Sequence, residues 1–222
     1  MVSIVNSAGL GLFNSSLGLQ SAGSSPMLGQ AGERVYVNNT TGNLVIQHVD
    51  DILSSQGPDF TFVRTYNSLG QFDGENNDNW RFNVYQQVYG LTGTVNTAGS
   101  SVVKVFGDGY QATYNYDNAL GYYTSTDGDG AHDRLRFDAQ TQRWSWEEGS
   151  SNQLEVFNFD GRLVQLTDKD GNSIGYIYQG SQISQIVDQS GQITYFDYQG
   201  QNLTQVRTYS NGVWQTRVRY NY

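Results

Sequence analysis

The chain has 222 residues, enough for one large domain or two small ones with a buried core. Its 21 acidic and 12 basic residues give a formal net charge of −9, and we expect no nucleic-acid partner because phosphate binding needs clustered Lys and Arg. The absence of cysteine excludes disulfides and thiolate metal sites, and no apolar stretch is long enough to cross a membrane as a helix. The many Tyr, Phe, Thr and Gly residues and the 2 Pro predict an all-β fold.

Residues 1–33 are rich in Gly and Ser and form a separate N-terminal segment. Residues 1–32 contain no charged side chain, so the basic start of a cleaved signal peptide is missing. Two interpretations stay open, a flexible leader or a plug that docks into a hydrophobic opening. The plug would use the apolar residues Leu10, Leu12, Phe13, Leu17 and Leu19.

Residues 34–148 are predicted to be an antiparallel meander of short strands. Apolar and polar residues nearly alternate within each run, turn signals rich in Gly, Asn and Asp separate the runs, and no helical period is present. The runs are residues 43–49, 59–67, 80–89, 101–107, 110–116, 121–126, 133–138 and 142–148.

One loop of this region, "STDGDGAHD" at residues 125–133, resembles a short calcium-binding loop. Asp127, Asp129 and Asp133 occupy acidic positions of that pattern, and Ser125 stands where its first Asp should be. Calcium prefers such clusters of oxygen ligands. We therefore predict weak calcium binding at the three aspartates.

Two alternatives to calcium are open at the same loop. Arg134 and Arg136 follow it directly on one side of a strand, so their guanidinium groups could neutralise the carboxylates instead. The loop could also be a plain Gly/Asp turn between strands.

No catalytic constellation is recognisable in the sequence, and we expect the protein not to be an enzyme. His48 and His132 lack an identifiable nucleophile and oxyanion site. Glu147 and Glu148 are adjacent, so they point to opposite faces of a strand and cannot alone form a facing carboxylate pair.

Trp144 and Trp146 lie two residues apart and therefore share one face of a predicted strand. One interpretation is that they fill the core or line a shell. The other is that they are exposed and stack on sugars, which would make the chain a carbohydrate- or cell-surface-binding β module.

From residue 149 to residue 222 the sequence repeats at a period of about twenty residues. Equivalent positions recur as Leu163, Ile183 and Leu203; Gln165, Gln185 and Gln205; Leu166, Ile186 and Val206; Gly171, Gly191 and Gly212; and Tyr178, Tyr198 and Tyr220.

Each repeat carries two apolar runs around a turn and is predicted to be one β-hairpin. Asp170-Gly171 and Asn211-Gly212 are typical of two-residue hairpin turns in which both residues have positive φ. Stacked hairpins bury a continuous face, so we expect Leu163, Ile183 and Leu203 on one face of one sheet.

These repeats resemble the YD repeats of the Rhs family. The segment "FDGRLVQLTDKDGNSIGYIY" (159–178) carries the start of such a unit at residues 160–163 (Asp-Gly-Arg-Leu), its turn at residues 170–172 (Asp-Gly-Asn) and its closing tyrosines, Tyr176 and Tyr178. Upstream, "TGNL" (41–44), "RTYNS" (64–68), a Gly-to-Trp turn (72–80) and "GDG" (107–109) resemble the family's N-terminal region. The resemblance covers roughly residues 34–222, although Tyr178 and Tyr198 are followed by Gln and the family's self-cleavage motif is absent.

The resemblance implies a structural function. Rhs proteins wind a long β-sheet ribbon into a hollow cocoon that encloses a C-terminal effector, often a toxin. This chain would then be an N-terminal fragment that supplies part of the wall, secreted or held on the bacterial cell surface without a cleaved signal peptide. Its partner would be the rest of its own long chain, including the effector.

The run "VWQTRVRYNY" (213–222) is predicted to be the last strand of the sheet, with an unpaired edge. Unpaired backbone groups invite strand addition. We expect concentration-dependent self-association through this edge, weakened by the charges of Arg217 and Arg219.

Overall fold

The computed structural model describes residues 3–5, 27–28, 33–38, 43–53, 58, 60–69, 79–126, 132–210 and 212–222. All regular elements of these residues are β-strands, so the predicted all-β class is confirmed. None of the described residues belongs to a helix with the length and apolarity that a membrane crossing requires. The strands are β1 (Ser3–Val5), β2 (Met27–Leu28), β3 (Arg34–Asn38), β4 (Leu44–Leu53), β5 (Phe60–Asn67), β6 (Trp80–Phe82), β7 (Gln87–Thr92), β8 (Ser101–Val105), β9 (Gln111–Asp117), β10 (Tyr122–Thr124), β11 (Arg134–Asp138), β12 (Arg143–Glu147), β13 (Leu154–Phe157), β14 (Leu163–Thr167), β15 (Ser173–Gln179), β16 (Gln182–Val187), β17 (Ile193–Gln199), β18 (Asn202–Ser210) and β19 (Val213–Arg219).

The first six strands form a small sheet with the order β1-β3-β4-β5-β6 and with β2 beside β3. All its pairs are antiparallel except β1 with β3, which is parallel. On β5, Phe60 and Phe62 are buried while Thr61 and Val63 between and after them are partly exposed. This alternation places an apolar face of the small sheet toward the rest of the molecule.

The other thirteen strands form one large sheet in strict chain order, from β7 at one edge to β19 at the other. Every strand pairs antiparallel with its neighbours in the sequence, which confirms the predicted meander. The sheet passes from β12 to β13 without a break. The predicted division of the chain at residues 148–149 into two domains stays a prediction.

Residues that recur every twenty positions in the sequence occupy equivalent positions on alternate strands of this sheet. Leu163, Ile183 and Leu203 lie on β14, β16 and β18, pair with the aromatic residue next to a β-bulge, and are at most 1% exposed. The extra residue at each bulge keeps the apolar side chains of the strand on the inner face. The prediction that these three residues share one face of one sheet is confirmed.

The turn at Asp170-Gly171 differs from the predicted two-residue type. Gly171 has φ +87°, but Asp170 does not have positive φ. Instead, Asp168 accepts bonds from the backbone N–H groups of Asp170 and Asn172 through its carboxylate, which stabilises a longer turn. Aspartate side chains bond their own backbone two residues on, and this preference outweighs the Asp-Gly signal here. Asn211, in the second predicted turn, lies outside the described residues.

Two-residue turns occur at the other end of the repeat. Gln179 pairs with Gln182 and Gln199 with Asn202, and each turn begins with a glycine at φ +64°. Glycine at this position is typical of hairpin turns that match the twist of the strands. Hence the tripeptide "YQG", which occurs at residues 178–180 and again at residues 198–200, leads into the tight turns of the sheet.

The large sheet is rolled so that its first strand meets the turn between β13 and β14. The N–H of Val88 donates to the carbonyl of Gly161 at 2.8 Å, and Gln87 forms a β-bridge with Arg162. Gly161 has φ +76°, and a Cβ there would lie 1.7 Å from the Val88 carbonyl oxygen. Only glycine therefore permits this approach of the two backbones.

The small sheet packs against the last strands of the large one. The rings of Phe62 and Phe196 lie 5.6 Å apart, and those of Phe82 and Tyr220 lie 5.5 Å apart. The inner face of the roll and the apolar face of the small sheet thus belong to one hydrophobic core. The inner face of the roll is filled by the chain's own side chains.

Candidate functional site

The predicted calcium loop lies mostly beyond the described residues, which exclude Asp127 and Asp129. Asp133 is half-buried and has protein partners, because its Oδ1 accepts from the Gly149 N–H at 2.9 Å and its Oδ2 from the Tyr114 hydroxyl at 3.4 Å. Burial raises its pKa. Calcium binding at the three aspartates stays a prediction.

The two arginines that follow the loop pair with a different carboxylate. Arg134 and Arg136 lie 3.6 and 3.4 Å from Glu147 Oε2 on the neighbouring strand. These contacts are solvent-exposed and contribute little stability. Within the described ranges, no three His, Cys, Asp or Glu residues come together as metal ligands.

The other residues that the sequence raised as candidates for sugar binding or catalysis make packing contacts or local polar contacts within the fold. Trp144 and Trp146 are 6% and 3% exposed, so they belong to the core and do not form an exposed sugar platform. His48 Nε2 lies 3.6 Å from Asp50 Oδ1, and exposed His132 packs its Cβ and backbone near Gly149. Glu148 accepts a hydrogen bond from Ser151.

The most unusual chemical environment in the core surrounds Lys104 on β8. The Lys104 side chain is 0% exposed and that of Glu155, on β13, is 3% exposed, and their Nζ and Oε2 atoms lie 2.8 Å apart. Nζ also donates to Gln86 Oε1 at 3.2 Å. We call Lys104, Glu155 and Gln86 the lysine centre.

Aromatic rings enclose the lysine centre. Lys104 Nζ lies 3.5 Å from the ring centroid of Trp146 and 3.7 Å from that of Phe106. Cation–π attraction partly replaces the lost hydration of an ammonium group. Burial nevertheless lowers the pKa of Lys104, although the carboxylate of Glu155 acts in the opposite direction.

A line of hydrogen bonds connects this centre with the predicted calcium loop. Trp146 Nε1 donates to the Tyr114 hydroxyl at 2.8 Å, and that hydroxyl donates to Asp133. Burial raises the pKa of Tyr114, so the phenol stays protonated. Asp133 is therefore tied to the core through Tyr114 and Trp146.

A half-buried acidic side chain lies at the "GDG" turn between β8 and β9. Asp108 accepts from the Tyr110 N–H at 3.0 Å, and burial raises the pKa of Asp108 to about 6. The nearby cation of Arg81, which is 4% exposed and donates to the Tyr85 carbonyl, acts to lower that pKa.

An exposed aromatic cluster lies on the outer face of the last three strands. It consists of Tyr195, Arg207, Tyr209 and Trp214. The Trp214 ring is 5.0 Å from the rings of both tyrosines, and the Arg207 guanidinium lies 3.9 Å above it. Tyr209 and Trp214 are 49% and 48% exposed.

A set of ion pairs, which we call the clasp, fastens β19 and the residues after it to β4. Arg217 donates to both carboxylate oxygens of Asp51 at 2.7 and 2.9 Å. Beside it, the hydroxyl of Tyr220 donates to Asp50 Oδ2 at 2.6 Å, and Arg64 donates to both oxygens of Asp50. Arg217 and Asp51 lie 166 positions apart in the sequence, and Tyr220 and Asp50 lie 170 positions apart.

Sequence reasoning missed the lysine centre, the exposed cluster and the clasp. A weak signal existed for the first, because Lys104 occupies the same side of its strand as Val102, at a position where an apolar residue is expected. Glu155 likewise shares a face with Phe157. The partners of these residues come from strands without any fixed spacing, so sequence periodicity could not identify them.

Comparison with known families shows what part of the chain resembles. A family model described as "Domain of unknown function (DUF6531)" matches residues 36–114. The matched range begins in β3 and ends in β9, so it includes parts of both sheets, Gln86 and Lys104 of the lysine centre, and Asp50, Asp51 and Arg64 of the clasp. No curated protein matches the chain.

Proposed function

We propose that the protein is a structural segment of a larger shell of the Rhs/YD-repeat type, and that it is not an enzyme. The observation that carries this proposal is the large sheet, in which thirteen strands follow one another in chain order with one hairpin for each twenty-residue repeat. Such a sheet grows by adding units to its end, as a wall requires.

The geometry of the two edges of the large sheet, at β7 and at β19, supports this proposal. The β7 edge is closed against the turn at Gly161, and the small sheet covers part of the inner face. At the other end, no described strand pairs with the outer edge of β19. In the proposed shell, the β19 edge is therefore the one to which further repeats would be added.

In the proposed protein, further hairpins would extend the wall from β19 and enclose a C-terminal effector, such as a toxin. The protein would be secreted or displayed on the bacterial surface. The small sheet and the clasp would then serve as the closed start of the shell.

The full-length gene product provides the test. Cryo-electron microscopy should show a sheet that continues beyond β19 and surrounds a C-terminal segment, and limited proteolysis should leave that segment intact. A structure in which β19 remains the last strand, or in which proteases remove the C-terminal segment at once, would contradict the proposal.

A second candidate function, carbohydrate binding, has one observation in its favour. The exposed aromatic cluster offers a half-exposed indole beside Arg207, whose guanidinium is held 2.6 Å from Asp197 Oδ2. Aromatic faces with adjacent polar groups can stack on and hydrogen-bond to sugars. This surface is a different one from the buried Trp144 and Trp146 considered from the sequence.

Oligosaccharide binding distinguishes the two candidates. If the chain is a sugar-binding module, calorimetry should detect a ligand whose binding is lost in Trp214→Ala and kept in Phe159→Ala. Phe159 is a suitable control because it is 69% exposed but lies on a turn outside the cluster. The structural proposal predicts no binding in either variant or in the wild type.

A further inference from the structure

The lysine centre brings together the three groups that an intramolecular amide cross-link requires. Lys104 supplies an amine, Gln86 a carboxamide and Glu155 a carboxyl group that can carry protons. Nζ lies 3.2 Å from Gln86 Oε1 and 2.8 Å from Glu155 Oε2. Oε1 is bonded to the carboxamide carbon, and for reaction the Gln86 side chain must rotate so that this carbon faces Nζ.

We propose that Lys104 and Gln86 form an isopeptide bond, with Glu155 transferring the protons. The proposal is independent of the structural function proposed above. It concerns a covalent modification that the chain carries out on itself.

The surroundings favour reaction over the alternatives. A lysine becomes a nucleophile when desolvation favours its neutral form, and the Lys104 side chain is fully buried. Holding the reacting groups together removes most of the entropic barrier. The rings of Trp146 and Phe106 cover the amine and keep water away from it.

The proton transfers balance without any cofactor or oxidant. Lys104 first gives one proton to Glu155, and the resulting neutral amine attacks the Gln86 carboxamide carbon while Glu155 protonates Oε1. Glu155 then takes a proton from Nζ and passes it to Nε2. The C–Nε2 bond breaks, ammonia leaves, and the proton on Oε1 passes to Glu155. Glu155 then holds the proton that Lys104 lost, and it returns to the carboxylate when ammonia carries this proton away as ammonium.

The bond would lock the place where the two sheets meet. Gln86 lies in the connection between β6 of the small sheet and β7 of the large one, and Lys104 lies on β8. A cross-link there would fix the start of the roll covalently, in a chain that has no cysteine for a disulfide.

Mass spectrometry of the purified full chain tests the proposal. The intact mass should be lower than the sequence mass by one ammonia. Because Asn-Gly pairs such as Asn211-Gly212 also lose ammonia when they cyclise, the site must be mapped. Chymotrypsin cleavage after Tyr89 separates Gln86 from Lys104, so their two peptides should remain joined only through the new bond.

Two variants complete the experiment. Glu155→Gln keeps the shape of the side chain but cannot transfer protons, so a folded sample should show separate peptides. Gln86→Leu removes the carboxamide from a half-buried position and should also show no joined peptides. Separate peptides in the wild type overturn the proposal, and joined peptides in folded Glu155→Gln overturn the assigned role of Glu155.

Discussion

Replacing Gly161 with alanine should open the roll of the large sheet. A Cβ at this position would lie 1.7 Å from the carbonyl oxygen of Val88, although Cβ atoms in proteins essentially never come closer than 3.0 Å to such an atom. The atoms it would meet belong to the Val88 backbone, so no side-chain rotation can relieve the clash. Positive φ alone costs an alanine about 1–2 kcal/mol. Separating the two backbones also removes the hydrogen bond from Val88 to Gly161, and a buried N–H left unsatisfied costs about 1–3 kcal/mol more.

The expected loss of unfolding free energy for Gly161→Ala is therefore about 2–5 kcal/mol, measured by urea denaturation. Gly171→Ala is the matched control, because Gly171 has φ +87° but nothing within 4 Å of its Cβ position, so only the cost of positive φ applies. Equal losses in the two variants would refute the closure of β7 on the turn at Gly161.

Four further predictions follow from particular contacts. Burial raises the pKa of Asp108 to about 6, above its value in the unfolded chain, so the folded state holds more protons and stability falls as pH rises from about 4 to 6. Asp108→Asn should accordingly gain up to about 2–3 kcal/mol at pH 7 and nothing near pH 4, as measured by urea denaturation at both pH values; an equal effect at both would contradict the burial of this carboxyl. Arg217→Ala should lose about 1 kcal/mol or less, diminishing with added salt, whereas exposed Arg219→Ala should change stability by less than about 0.5 kcal/mol; equal losses would mean that the clasp is not formed. Sedimentation should show concentration-dependent association through the β19 edge, reduced by Val213→Lys, and a chain that stays monomeric at high concentration would count against it. Calorimetry with millimolar calcium should detect weak binding that Asp129→Ala abolishes. If the wild type gives no heat of binding, the loop at residues 125–133 is a plain turn and not a calcium site.

The repeating part of the fold was predictable because it depends on residues that are close together in the sequence. Leu163, Ile183 and Leu203 recur at a fixed spacing, and each strand pairs with its sequence neighbour, so periodicity alone predicts strand, face and order. The turn at Asp170-Gly171 was predicted wrongly because the side chain of Asp168, two residues earlier, determines its geometry.

The closure of the roll and the lysine centre could not be predicted in this way. Val88 meets Gly161, and Lys104 meets Glu155, across strands that are far apart in the sequence and have no repeated spacing. A lysine on the inner face of a strand appears in the sequence as a break in the apolar pattern, but the pattern does not indicate which carboxylate neutralises it.

Amide hydrogen exchange tests whether the sheet grows by adding hairpins at β19. Three chains are compared at low concentration. The first is the chain as described, and in the second a copy of residues 180–202, which begins with the tight turn at Gly180, replaces Tyr222. The third carries a scrambled extension of the same composition as control. We expect the outward N–H groups of β19 to become protected only in the chain with the copied repeat. Equal exchange of β19 in all three chains would contradict this expectation.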